Sequence, residues 1–263
     1  MGETYETHVE GIRIFPGQWR PHYPWEHIVW ISPSWPCQDY LWLDFPETFL
    51  SDAGFHYISN KNPVIPAEEL LFSSLPPVPW TRINGGLSYE RTLPGGVSFG
   101  GSVSRKSTTR IALELHITNG SGEALTGVNL RTCIFLRATR DFGQYTNTNK
   151  YAFVEEHGWV SFEKAREVEH PGRYAVTGRG STKAFSDLPF AVCASSLAQR
   201  LVAMTWYDHT FQFGGNPTRP CLHADPECED LGPGETVSMN GEIFFFEGSP
   251  DEFLAFWQSE GRR

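Results

Sequence analysis

The chain has 263 residues, a formal net charge of -10, 20% charged residues and 40% hydrophobic ones. That balance describes a folded globular chain, not a disordered one. The acidic excess excludes non-specific nucleic-acid binding and attraction to an anionic membrane surface. No apolar run reaches membrane-spanning length, and MGETYETHVEG at the start has neither the basic nor the apolar region of a secretory leader. The expected location is therefore cytoplasmic, while the charge says little about a neutral small molecule as partner. The sequence carries no signal for oligomeric state.

Residues 1–80 hold six of the nine tryptophans, Trp19, Trp25, Trp30, Trp35, Trp42 and Trp80, and eleven of the nineteen prolines. Proline blocks helix interiors and central strands. This segment is expected to be mostly irregular and to wrap its aromatic rings against the rest of the chain. Short extended pieces are predicted at His27–Ile31 and Tyr40–Leu43.

Residues 81–248 read as strands. Arg110–Thr118 alternates strictly, with Ile111, Leu113, Leu115 and Ile117 on one face. After the turn Asn119-Gly-Ser-Gly-Glu123, Leu125–Leu136 reads as its hairpin partner, which would bring Arg131 beside Glu114 and His116. Pro189–Ser195 and Arg200–Tyr207 form a second predicted pair. Asn240-Gly241 predicts a third hairpin, between Thr236–Met239 and Glu242–Glu247. Ser161–Val168 is a candidate short helix. Residues 249–260 close the chain with a helix, where Ser249 is the N-cap, Pro250 the first helical residue and Glu252 the capping-box partner.

The expected fold is all-β: one antiparallel two-sheet β-sandwich domain over 1–263, of supersandwich or jelly-roll type, with the Trp/Pro-rich segment and the short C-terminal helix as additions. Ile117–Glu123 with the strand returning through Cys133, the turn Leu231-Gly-Pro-Gly-Glu235, and the last strand Gly241–Gly248 with its helix resemble bacterial sugar-acting proteins of the galactose-mutarotase-like type. The resemblance covers 105–263 and consists of scaffold features. It implies a supersandwich acting on carbohydrate and carries over no catalytic residue.

The chain has no P-loop, no dinucleotide fingerprint and no H-E-x-x-H. Its five cysteines are odd in number and widely spaced, which argues against a disulfide framework; Cys133 and Cys193 read as small core hydrophobes. The stretch Arg219–Glu235 contains Cys221, His223, Asp225 and Cys228. Cys221, His223 and Cys228 do not have the spacing of a zinc knuckle, and most of the segment is expected to be a loop feeding a late strand. His223 and Asp225 alternate and could project together.

His209, His223, Asp225 and His56 are the candidate catalytic residues, since histidine is poised for proton transfer near neutral pH. Arg131 and Arg219 are candidates to hold an anionic group such as a uronate. Glu114, His116, Trp42, Tyr57 and Trp206 complete the candidate substrate contacts. No cofactor is expected; a divalent metal at His209, His223 and Asp225 is the one the residue set allows. The leading reading is a carbohydrate epimerase, mutarotase or polysaccharide lyase. The alternatives are a non-catalytic glycan-binding sandwich and a metal-dependent small-molecule enzyme.

Overall fold

A computed structural model describes residues 11–18, 23–59, 75–177 and 185–261. Residues 1–10, read above for a leader, and Trp19 lie outside the described residues.

In chain order the strands begin with β1 (Ile14–Gly17), β2 (Ile28–Ile31), β3 (Leu41–Ser51), β4 (Gly54–Ile58), β5 (Thr81–Ile83) and β6 (Gly86–Thr92). Next come β7 (Val97–Arg105), β8 (Arg110–Asn119), β9 (Asn129–Phe135), β10 (Lys150–Val154), β11 (Gly158–Ser161) and β12 (Tyr174–Thr177). The last six are β13 (Phe185–Ser186), β14 (Phe190–Ala194), β15 (Arg200–Thr205), β16 (Thr210–Asn216), β17 (Arg219–Pro226) and β18 (Thr236–Glu247). Helix α1 (Pro250–Ser259) follows.

Among the described residues the strands form two nine-stranded sheets. The first runs β1-β2-β3-β9-β17-β16-β12-β13, with β4 paired to β3. The second runs β11-β10-β14-β15-β18-β8-β7-β6-β5. Among the described residues every strand pairing is antiparallel except that of β12 with β16. Their inner faces share one apolar core. Phe45 of β3 stacks on Trp206 at 6.0 Å, and Phe49 meets Phe99 of β7 edge-on at 5.7 Å. This is the expected antiparallel sandwich.

The first third is more regular than its prolines suggest. It supplies four strands to the first sheet, and β3 runs through that sheet for eleven residues. Pro16 lies on the edge strand β1, and Pro46 falls where the register of β3 against β9 shifts between Asp44 and Thr48. Edges and bulges are where a sheet tolerates proline. Between strands the segment still packs rings inward: Trp25 and Trp35 are buried.

Two expected hairpins do not form. β8 pairs with β7 and β18, whereas β9 pairs with β3 and β17 in the other sheet. The alternation of both strands is real, but each faces the shared core from its own side. Periodicity reports a buried face and not the sheet that owns it. Arg131 is therefore separated from Glu114 and His116, which lie on the outer face of the second sheet.

Asn240 and Gly241 do not turn either. They lie inside the continuous strand β18, opposite Glu114 and Leu113, and neither has a positive φ. Gly241 serves close packing instead: a Cβ there would meet the Thr205 carbonyl oxygen at 2.6 Å and the Trp206 ring at 2.9 Å. Gly241→Ala is expected to overpack this contact and cost about 1–3 kcal/mol, read as a lower urea midpoint at unchanged m-value.

The β14–β15 hairpin forms as predicted. Of the Ser161–Val168 candidate, a 3-10 turn at Lys164–Arg166 is helical. Helix α1 carries the predicted capping box, Ser249 with Glu252, and buries Phe253 and Trp257 against β14 and β18.

Candidate functional site

Directly paired residues of neighbouring strands share a face, and so do residues two apart along a strand. On the first sheet this gives three adjacent rows on the face turned away from the core. The first is Trp30, Trp42, Phe135 and Cys221. The second is Asp44, Cys133, His223, Gly214 and Thr177. The third contains Thr48, Arg131, Asp225 and Gln212.

The centre is Cys221-Leu-His-Ala-Asp225 on β17. The strand covers Arg219–Pro226 between β9 and β16, more of the Arg219–Glu235 stretch than its turn-rich composition suggested, and His223 and Asp225 project together from it. Leu222 and Ala224 point to the core, while Cys221, His223 and Asp225 point outward. His223 Nδ1 lies 3.8 Å from Glu47 Oε2 and 3.8 Å from Asp225 Oδ1. Glu47 reaches the site because the β3 register shift falls beside it.

Asp225 is buried and held by two donors. Gln212 Nε2 donates to its Oδ2 at 2.8 Å, and the Thr132 N–H donates to its Oδ1 at 3.1 Å. Burial pushes its pKa up, while His223, Arg131 and these hydrogen bonds pull it back. Burial alone would lower the pKa of His223; the neighbouring Cys221 thiolate, then Glu47 and Asp225, reverse this and hold the imidazole protonated, with a pKa of about 10. The adjacent Cys133 thiol, and then His223, depress the Cys221 pKa against the effect of burial; the same closeness to Cys221, and burial, raise that of Cys133.

A cavity of about 290 Å³ opens over this centre, lined by Arg131, Thr177, Gln212, Gly214, Gly215, Asn216, His223 and Asp225. Gly214, between His223 and Thr177 in the row, projects no side chain into it. Trp42 stacks on Phe135 at 5.5 Å and packs against the cluster that Phe135 forms with Cys133 and Cys221. Trp30 beside it is 36% exposed, so a partly open aromatic surface leads up to the thiols.

Of the predicted site residues, His223, Asp225, Arg131 and Trp42 come together here. Arg219 starts the same strand, four positions before His223, roughly 13 Å along it. His209 does not converge. It follows the end of β15 in a 3-10 turn, five positions before Gly214, roughly 16 Å away along the strand direction. There it lines a separate acidic cavity with Asp208, Glu227 and Glu229. The expected His209/His223 pair, and a metal shared by His209, His223 and Asp225, are thus ruled out by distance.

His56 hydrogen-bonds Ser51 Oγ at 2.7 Å and stacks on Phe49, and it does not line the cavity. Tyr57 and Trp206 are fully buried between the sheets and cannot meet a substrate. Glu114 and His116 face away from the other sheet, where His116 pairs with Glu90 at 2.6 Å. Gly96-Val-Ser-Phe-Gly100 spells a nucleophile-elbow motif, but Ser98 is mid-sheet in β7 and not on the strand-to-helix turn the elbow requires.

Glu47, Gln212 and Trp30 belong to this face and were not singled out from sequence; Cys133, read as a small core hydrophobe, also lies on this face and outside the core shared by the sheets. For Cys133 a signal existed: Arg131, Cys133 and Phe135 alternate with the apolar Leu130 and Ile134. Glu47 had none, because a register shift brings it in.

No family model and no curated protein matches this chain. Among solved structures it is similar to a galactose mutarotase related enzyme from Lactobacillus acidophilus, with 7% identity, TM-score 0.44, and 85% of this chain and 96% of that one covered. A GalM/aldose epimerase homologue from C. elegans gives 9% identity, TM-score 0.45, and 92% and 100% coverage. A polysaccharide lyase gives 10% identity and TM-score 0.39, with 92% of this chain matched to 34% of that one. The first two are described as a galactose mutarotase related enzyme and an aldose epimerase homologue, and identity is 10% or lower in all three.

Proposed function

We propose that the outer face of the first sheet is the active site of a carbohydrate-active enzyme that moves a proton on a sugar or a uronate, as an epimerase, a mutarotase or a polysaccharide lyase does. The observation that supports it is the meeting of one imidazole, one carboxylate and a guanidinium at one polar cavity beside an aromatic surface, with a second carboxylate, Glu47, 3.8 Å from the imidazole. Aromatic rings take the C–H faces of a sugar, and the polar groups take its hydroxyls. Arg131 pairs with a uronate carboxylate. Glu47 and Asp225 orient His223, which handles the proton. Five free thiols fit a reducing compartment, in keeping with the cytoplasmic expectation.

The test is a thermal-shift panel of neutral sugars, uronic acids and their oligomers, since a ligand of the folded state raises the midpoint. Turnover of whichever sugar binds is then followed. His223→Ala is expected to lose about 10²- to 10⁴-fold in rate while keeping the sugar-induced shift. A flat panel sinks the carbohydrate reading. Full activity in His223→Ala would remove the histidine from the chemistry.

The row Trp30, Trp42 and Phe135 favours a second reading, a glycan-binding face without catalysis. In that case Trp42→Ala abolishes the sugar-induced shift, no sugar is turned over, and His223→Ala binds like the parent.

A further inference from the structure

Two sulfurs and an imidazole meet at the centre of this face. Cys133 Sγ, Cys221 Sγ and a ring nitrogen of His223 all lie within 4.8 Å of one another. A redox pair is the first explanation to weigh for the two thiols. Cys133 stands opposite His223 and Cys221 opposite Phe135, so the two cysteines are diagonal neighbours across the strand pair. Diagonal neighbours in a sheet are roughly 7–8 Å apart, and somewhat less between Cβ atoms, whereas a disulfide needs a Cβ separation of about 3.5–4.5 Å. The backbone therefore brings the sulfurs near each other without the geometry to join them.

A shared ion suits that spacing. Zinc binds thiolate sulfur at about 2.3 Å and imidazole nitrogen at about 2.0–2.1 Å. In a tetrahedral shell this sets neighbouring donors roughly 3.5–3.8 Å apart, within the span observed here. Two thiolates and an imidazole are soft and borderline donors, which select zinc over magnesium or calcium. His223 also lines the 290 Å³ cavity, so a fourth position would face a space that admits water or substrate.

The outer contacts fit as well. Metal-binding histidines commonly turn their second nitrogen to a carboxylate. Here Glu47 and Asp225 flank His223 Nδ1, and Asp225 is itself fixed by Gln212 and the Thr132 N–H.

We propose that Cys133, Cys221 and His223 form a three-ligand zinc site with an open fourth position. The inference needs only these donors and stands apart from the carbohydrate reading. An occupied site would make His223 a ligand and pass proton transfer to a bound water.

The full-length protein, stripped with a chelator, is titrated with Co²⁺ and then with Zn²⁺. One equivalent of Co²⁺ is expected to give thiolate-to-cobalt charge-transfer absorption, which Zn²⁺ abolishes. Cys133→Ser and Cys221→Ser are expected to lose it, Cys228→Ser to keep it, and Glu47→Gln to weaken zinc binding about 10- to 100-fold. X-ray absorption of the zinc-loaded parent needs no variant and is expected to show two sulfur neighbours at about 2.3 Å. An all-oxygen/nitrogen shell, or no charge transfer and no retained zinc, overturns the proposal. So does Co²⁺ uptake unchanged in both folded cysteine variants. The carbohydrate reading fails separately, on a flat sugar panel.

Discussion

Trp206→Ala is expected to cost ~3–5 kcal/mol of stability and to disturb the site without removing a substrate contact. The ring is fully buried and stacked on Phe45 across the sandwich. Its Nε1–H donates to the Ala224 carbonyl at 2.8 Å and to Thr132 Oγ1 at 3.2 Å. Ala224 lies between His223 and Asp225, so the indole braces the strand that presents them. Truncation removes a large apolar surface and leaves a cavity beside β17. Trp206→Phe retains most of the packing and loses the hydrogen bonds, a change of about 0.5–1.5 kcal/mol each. Urea denaturation read by far-UV circular dichroism separates the cases. A loss below about 1 kcal/mol for the alanine variant would contradict a load in the core. A substrate-stacking Trp206 would instead lose sugar affinity at unchanged stability.

The second large effect is acid sensitivity through His27. This residue is fully buried, stacked on Tyr89 at 3.7 Å, and its Nε2 accepts a hydrogen bond from Arg91 Nε at 3.1 Å. Burial, then the Arg91 charge, holds its pKa well below 6.5. The unfolded chain takes up this proton first as pH falls. The stabilisation is therefore complete above about pH 6.5 and is lost below it, at up to about 1.4 kcal/mol per pH unit until the folded-state pKa is reached. The titratable groups that touch it, Arg91, Tyr89 and Tyr57, do not ordinarily titrate between pH 5 and 7. His56, also lowered by burial, contributes with the same sign. His27→Gln keeps an acceptor for Arg91 and removes the proton uptake. The expected outcome is a shallower fall in unfolding free energy from pH 7 to 5 than in the parent, with the difference assigned to His27. Parallel curves would refute the assignment.

Local chemistry was readable without coordinates. The strict alternation of Arg110–Thr118, the capping box of Ser249 and Glu252, and the hairpin of β14 and β15 each depend on neighbours within a few residues. Their periods and caps act in the same way in any surrounding fold. His223 and Asp225 were legible for the same reason, since two side chains two positions apart on a strand share a face.

The partners across the sheets were not legible. Nothing local distinguishes β8 and β9 as a hairpin from β8 and β9 as members of opposite sheets, because both arrangements bury the same alternate residues. Asn240-Gly241 carries a strong turn signal, yet Gly241 is needed where Trp206 closes on the backbone, and that demand appears only when the sheets meet. The same holds for the site. By itself the sequence determined the sandwich class, the closing helix and the pairing of His223 with Asp225 on one face. Only the tertiary structure decided that Cys133, 88 positions before Cys221 by their numbers, sits beside it, and that Glu47 reaches His223 through a register shift. It also set His209 and His56 apart and buried Trp206. Strand order and register are set by long-range packing of two sheets on one core, and no short-range period encodes them.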